Sequence, residues 1–201
     1  MANTMQSGSR NPGDDLLIES VNSAAEFKDF CCGIDEMDEF IHNGLDLSVE
    51  SCFCKLYKVS KDKEIVALLA LSFDSLSLDP DDKSDLKSGG TMALNTSYKD
   101  TFWNKMHYPA LEIAYLAVRK DYRGKSIGST LIKEIFRKAS EQDIAGCQFL
   151  TVEALNDSKE DGHQYSAVPF YSKNYFYSCE APSSSKKTIR MFRPLYIRID
   201  G

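Results

Sequence analysis

Apolar positions along the chain change period several times, and each change marks an element. "LLIESV" (Leu16 to Val21) reads as a first strand. "SAAEFKDFCCG" follows with the look of a short helix stopped by Gly33. In "IDEMDEFIHNGL", Ile34, Met37, Ile41 and Leu45 recur at helical spacing, with Asp35 and Glu36 near the positive end of the helix dipole. "SCFCKLYKVS" and "EIVALLALSF" flank "KDK", which predicts a hairpin. "ALEIAYLAV" is apolar on both faces, as expected for a central strand covered by helices on both sides. Past "RKDYRGK", Ile127, Leu131, Ile132, Ile135, Phe136 and Ala139 fall on one helical face, so a helix begins near Ser126 or Ile127.

From Ser75 to Pro109 the periodicity stops. "DPDDKSDLKSGG" is charged and broken by glycine, and "TSYKDTFWNKMHYP" is rich in aromatics. This predicts a long loop, either exposed and variable or a substrate wall carrying Phe102, Trp103, His107 and Tyr108. Residues 1–15 are polar and aperiodic and read as a disordered tail or an expression remnant. No repeat or linker divides the rest, so residues 16–200 are expected to form one domain.

Bulk properties narrow the function. The 201 residues are 42% hydrophobic, enough for one compact core, and the net charge is −6. That charge argues against broad attraction to nucleic acid or membranes, while leaving room for a local basic patch. No apolar run is long enough to span a bilayer, and no signal-peptide core is visible. Cys31, Cys32, Cys52, Cys54, Cys147 and Cys179 show no CxxC pairing and read as buried free thiols of a reducing, cytoplasmic environment. His42, His107 and His163 are scattered without metal spacing, so no metal is expected.

The segment after the central strand carries the first chemistry. A helix starting near Ser126 leaves its first amides without intrahelical partners, aimed back into the turn from Arg123 to Gly128. Free amides and a positive dipole end form an anion site. Gly124 and Gly128 permit close approach of the backbone, and Arg123 and Lys125 add charge. The spacing is neither a Walker loop nor a dinucleotide turn. A plain packing turn fits the same pattern.

With these residues in view, the chain resembles the GCN5-related N-acetyltransferase (GNAT) superfamily. Arg123, Gly124, Lys125, Ser126, Ile127 and Gly128 resemble its acyl-CoA signature, with Ser126 standing where the first signature glycine is usual. Phe170, Tyr171 and Phe176 in "SAVPFYSKNYFYSCE" match its late helix and turn, although Tyr175 replaces the usual glycine. Before that helix, "CQFLTVEALND" reads as a strand ending at Asn156, a position often used to touch the cofactor, and "DSKEDGHQY" looks like an insertion. "TIRMFRPLYIRI" reads as a closing strand. The implied fold is α/β: a mixed, mostly antiparallel sheet flanked by helices and splayed at the acyl-CoA site. The implied co-substrate is acetyl-CoA, its pyrophosphate held from Arg123 to Gly128 and its pantetheine lying along Leu116, Ala117 and Val118.

The resemblance also gives Glu112 a meaning. Acetyl transfer needs a neutral amine, so some group must accept a proton. Glu112 aligns with the general-base glutamate of histone-acetylating members and sits among Leu111, Ile113 and Tyr115. A surface ion pair is the alternative reading. Tyr171 stands where the family places a tyrosine beside the thioester sulfur to protonate the leaving thiolate, and an amide near Leu116 to Val118 would stabilise the oxyanion. "FCCGIDEMDEFI", "YPALEIAYLAV", "VEAL" and "TIRMFRPL" are further similar to acetyltransferase toxins acting on aminoacyl-tRNA. Phosphate-rich acceptors call for a positive surface, and this chain is acidic, so tRNA is not the favoured acceptor. The expected function is direct transfer of acetyl to a primary amine on a small molecule or macromolecule, by a monomer or homodimer. A toxin-like enzyme and a non-catalytic acyl-CoA-binding module are the alternatives. Nothing in the sequence names the acceptor.

Overall fold

The computed structural model describes residues 16–88, 104–179 and 186–195. The expected tail and the aromatics Phe102 and Trp103 lie outside them. Seven strands form one sheet in the order β1-β2-β3-β4-β5-β9-β8. These are β1 (Leu17–Val21), β2 (Lys55–Lys61), β3 (Glu64–Ser77), β4 (His107–Val118), β5 (Phe149–Leu155), β8 (Tyr177–Ser178) and β9 (Thr188–Pro194). Every neighbouring pair is antiparallel except β4 and β5. The predicted closing strand is therefore internal, clasped between β5 and β8. A separate hairpin, β6 (Ser158–Glu160) and β7 (His163–Tyr165), occupies the expected insertion.

The helices are α1 (Asp35–Asn43), α2 (Leu45–Glu50), α3 (Pro80–Ser88), α4 (Ile127–Glu141) and α5 (Val168–Lys173). On one face of the sheet, the region of α1 and α2 buries Phe27, Ile41 and Leu45 with Leu56, Leu68, Ala70 and Ala117. On the other, α4 and α5 bury Ile132, Ile135 and Tyr171 with Leu69, Ile113, Leu150, Val152 and Met191. The two-sided apolarity of β4 is thus explained by helices on both faces.

Three expectations need correction. The stretch from Ala24 to Gly33 forms only a 3-10 turn, Ala24–Phe27, because side chains claim its amides instead. Asp46 accepts from the Ala24 amide at 2.7 Å, and Asp38 accepts from Cys32 and Gly33 at 2.7 and 2.9 Å. The second predicted helix breaks at Gly44, where a Cβ would lie 2.8 Å from the Phe40 ring. Finally, residues 75–109 are not one loop: β3 runs to Ser77, β4 begins at His107, and Ser75, Leu76 and Ser77 pair with Pro109, Tyr108 and His107. Tyr108 is fully buried with Leu76, Phe149 and Phe192, so it is core and not substrate wall. The cysteines are free as expected, but Cys31 and Cys52 are exposed while Cys32 and Cys54 are buried.

The β2–β3 turn shows how locally the fold is written. Asp62 and Lys63 both adopt positive φ (50° and 71°), the conformation that matches a two-residue connection to the twist of its strands. Tyr175, with φ 66°, takes up the left-handed conformation that a glycine would hold, so the turn after α5 survives the substitution.

Candidate functional site

One irregularity builds the site. Along the β3–β4 ladder, Leu71 pairs with Ile113 but Ala70 pairs with Tyr115, leaving Ala114 as an extra residue in β4. On its other edge β4 pairs with β5 only at Ala110, Leu111 and Glu112. Beyond Glu112 the two parallel strands part. The cleft between them is lined by Ile113, Ala114, Tyr115, Leu116, Val152 and Tyr171, among others, and holds a cavity of about 40 Å³. A larger groove of about 480 Å³ lies between β1 and α4 and contains none of the predicted site residues. The predicted strand segment Leu116 to Val118 therefore edges the cleft, with its β5 side free of ladder bonds.

Glu112 stands where the strands part. Its carboxylate accepts from the Ser72 hydroxyl at 2.8 Å and from Arg190 at 3.4 Å. Arg190 comes from β9, and it also bonds Glu153 at 3.3 Å and Asp74. Asp74 is held in turn by the Thr151 hydroxyl. Burial works against the Asp74 charge, but the Thr151 hydroxyl, the Ser75 amide and Arg190 together hold its carboxyl below the usual carboxylate range. The ladder registers put Ser72, Asp74, Glu112, Thr151, Glu153 and Arg190 on one face of the sheet. The sequence reading missed Ser72, Asp74 and Arg190. The only signal was the two-residue spacing of Ser72 and Asp74 in "SFDSLS", which puts both on one face; nothing in "TIRMFRP" singled out Arg190.

Tyr171 lies on α5 at the floor of the cleft, 5% exposed, with its ring edge-on to Phe170 and Phe176 at 5.1 and 5.3 Å. Burial pushes its hydroxyl well above the usual phenol range, and neighbouring Tyr165 adds to the effect. Arg193 fixes the end of this helix by donating to the Asn174 carbonyl at 3.2 Å and stacking 4.1 Å above the Phe136 ring.

The turn from Arg123 to Gly128 opens α4 as expected, with differences in detail. Gly124 has φ 74°, and Ser126, the N-cap, has φ 63° and gives no side-chain cap to the helix amides. The uncapped start of a 15-residue helix suits an anion. Gly128 serves close packing: a Cβ there would lie 3.0 Å from Phe170 and 3.8 Å from Val118. Ile127 is buried, so only its backbone faces the turn. Lys125 is exposed and sits over the Tyr122 ring at 4.7 Å. Arg123 is not free: its guanidinium pairs with both oxygens of Glu160 on the inserted hairpin and donates to the Cys32 carbonyl at 3.3 Å. Asn156 is engaged as well, donating to the Lys186 carbonyl at 2.9 Å and accepting from Ser166 at 3.2 Å. The structure thus places Leu116 and Tyr171 in the lining of one cleft and Glu112 at the last β4–β5 pair beside it, with the Arg123 to Gly128 turn past the end of β4. Among the described residues no cluster of side chains could hold a metal, and no helix is long and apolar enough to cross a membrane.

Comparison with known proteins agrees with this fold. The family model described as Acetyltransferase (GNAT) family matches residues 21–171. No curated protein matches the sequence. Among solved structures, AtaT complexed with acetyl-methionyl-tRNAfMet is 18% identical with a TM-score of 0.61, over 90% of this chain and 95% of that one. A tyrosine-to-phenylalanine mutant of KacT is 18% identical with a TM-score of 0.60, over 90% and 96%. A structure described as a bacterial toxin is 17% identical with a TM-score of 0.60, over 89% and 91%. At such identities the likeness establishes the fold.

Proposed function

Since the chain belongs to the acetyltransferase (GNAT) family, an enzyme family that moves acetyl from acetyl-CoA to an amino group, we propose that its acceptor is a cationic amine seated over the polar face of β3, β4 and β5. The observation that carries this reading is the charge of that face. Asp74, Glu112 and Glu153 share one guanidinium, Arg190, beside the point where β4 and β5 part. Such a floor attracts a protonated amine and repels a polyphosphate backbone.

Each residue has a separate task. Glu112, aimed by Ser72 and Arg190, takes the proton from the acceptor ammonium so that the nitrogen lone pair can attack the acetyl carbonyl. A backbone amide of β4 between Leu116 and Val118, on the edge that β5 leaves unpaired, donates to the oxygen as negative charge develops. Tyr171, kept protonated by its burial, gives its proton to the departing sulfur, which leaves as a thiol, and regains one from the proton that the attacking nitrogen sheds as the amide forms. Amides of the turn from Gly124 to Gly128, with Arg123 and Lys125, hold the pyrophosphate of acetyl-CoA. Asn156 shapes the end of β5 through its bonds to Lys186 and Ser166, so its part in cofactor binding is indirect.

The toxin-like reading has its own support, because one fold neighbour is a complex of AtaT with acetyl-methionyl-tRNAfMet and another contains AtaT with the antitoxin AtaR and acetyl-CoA. The test is transfer of radiolabelled acetyl from acetyl-CoA to three acceptors: a linear polyamine, a lysine-bearing peptide and an aminoacyl-tRNA. Label on the polyamine or peptide, reduced about 10²–10⁴-fold by Glu112→Gln, fits the proposal. Label on the aminoacyl-tRNA alone overturns it in favour of the toxin-like activity. Acetyl-CoA binding with no transfer to any of the three points to the binding module.

A further inference from the structure

Four cations crowd the turn between β4 and α4, and three are already paired. Arg119 bonds Glu64 at 3.2 Å, Lys120 donates to both oxygens of Asp161 at 2.7 and 2.9 Å, and Arg123 grips Glu160 with two nitrogens. Glu160 and Asp161 are neighbours at the tip of the β6–β7 hairpin, the insertion that precedes α5. The same hairpin is bridged to Ile34 at the start of α1, and its last residue, Tyr165, lines the cleft with its ring 5.4 Å from the Arg123 guanidinium.

We propose that this hairpin is an acidic strap across the acetyl-CoA site, in which Glu160 and Asp161 hold the cations that the phosphates would otherwise meet while Tyr165 closes the cleft. The inference rests on reading residues 123–128 as the phosphate turn. A guanidinium neutralised by two carboxylate oxygens contributes little net field to a second anion, so phosphate and Glu160 compete for Arg123. The cleft that Tyr165 lines is narrow, with a cavity of about 40 Å³ between β4 and β5. A pantetheine arm needs much more. Tyr165 belongs to an element of two three-residue strands, which has little stability of its own and depends on its attachments. Phosphates that take Arg123 and Lys120 therefore loosen the hairpin at both acidic residues and release Tyr165 from the cleft. Coupling of this kind is reciprocal, so loosening the hairpin by mutation tightens the cofactor.

The experiment is calorimetric titration of acetyl-CoA into the full chain and into the double variant Glu160→Gln, Asp161→Asn, with hydrogen exchange of amides 158–165 in the wild type with and without acetyl-CoA. The expected Kd of the variant is about three- to tenfold lower, the scale of two partly exposed ion pairs. Exchange at the hairpin is expected to speed up on binding. Equal or weaker binding by the variant, or slower hairpin exchange in the bound wild type, overturns the strap. The exchange measurement needs no variant, so a folding defect cannot obscure it. Lack of binding by wild type and variant alike is a different result, which removes the phosphate-turn reading itself.

Discussion

Replacing Arg190 with methionine tests the polar floor most sharply, because one side chain there serves three carboxylates from three strands. Methionine keeps much of the volume and removes the charge. At 3.3 to 3.4 Å, with an effective dielectric of about 20, each contact to Glu153 or Glu112 has a gross attraction of about 5 kcal/mol. Most of that is offset by desolvation of the ions and by water at the rim, where the Glu153 side chain is 46% exposed. The deeper partners count for more: Asp74 and Glu112 are 19% and 17% exposed and would remain as uncompensated carboxylates. The expected loss is about 2–4 kcal/mol at pH 7, near the lower end of what breaking a buried pair costs.

The pH dependence of that loss follows from Asp74, whose folded carboxyl is held below its ordinary range. A depressed carboxylate contributes stability that is present above its unfolded value of about 4 and is lost as pH falls through the folded value. Arg190 supplies part of that depression, so the variant's deficit is largest at pH 7 and shrinks as the pH drops below about 4. Urea unfolding followed by far-ultraviolet circular dichroism at several pH values measures both quantities. A loss under about 0.5 kcal/mol at neutral pH, or one that does not change with pH, would refute the idea that this cluster is electrostatically coupled.

Other consequences are simpler to check. Asp38 is also held below the usual range: burial opposes its charge, but the Cys32 amide, the two neighbouring thiols and the Gly33 amide prevail. Its contribution to stability should be full above pH 4 and fade below it, and Asp38→Asn should flatten the acid limb of the stability curve without shifting its alkaline limb. Cys52, exposed, should react first with iodoacetamide at pH 8, while Cys32, whose thiol burial pushes up to about 12, should stay unlabelled until the protein unfolds. Ser126→Gly should stabilise the chain by about 1 kcal/mol in thermal unfolding, since serine holds a left-handed conformation there without capping the helix. Unchanged stability would mean that its hydroxyl compensates elsewhere.

The parts of the fold that were legible in the sequence share one property: their periodicity is apolar. The β2–β3 hairpin, the two-sided β4 and the α4 stripe from Ile127 to Ala139 all bury hydrocarbon, and each lies where the pattern put it. The ends of β3 and β4 were missed because a single apolar residue on each, Leu76 and Tyr108, enters the core there, and Asp74 before them faces an ion-pair network. Apolar periodicity has no sign there. Gly128 was legible as a required glycine, yet the requirement comes from the Phe170 ring, a contact between residues far apart in sequence. The hairpin at 158–165 read as an insertion, and only the fold revealed that its two acids meet Lys120 and Arg123. Long-range pairing of charges leaves no local trace.

The central claim is that the turn at the head of α4 and the cleft between β4 and β5 together bind acetyl-CoA. Calorimetric titration of acetyl-CoA into the wild type and into Gly128→Glu, with melting curves for both, tests it most directly. The account predicts micromolar binding by the wild type and none by a variant that stays folded, because a side chain at 128 collides with Phe170 and sets a carboxylate at the phosphate turn. Equal binding by the two proteins would contradict it.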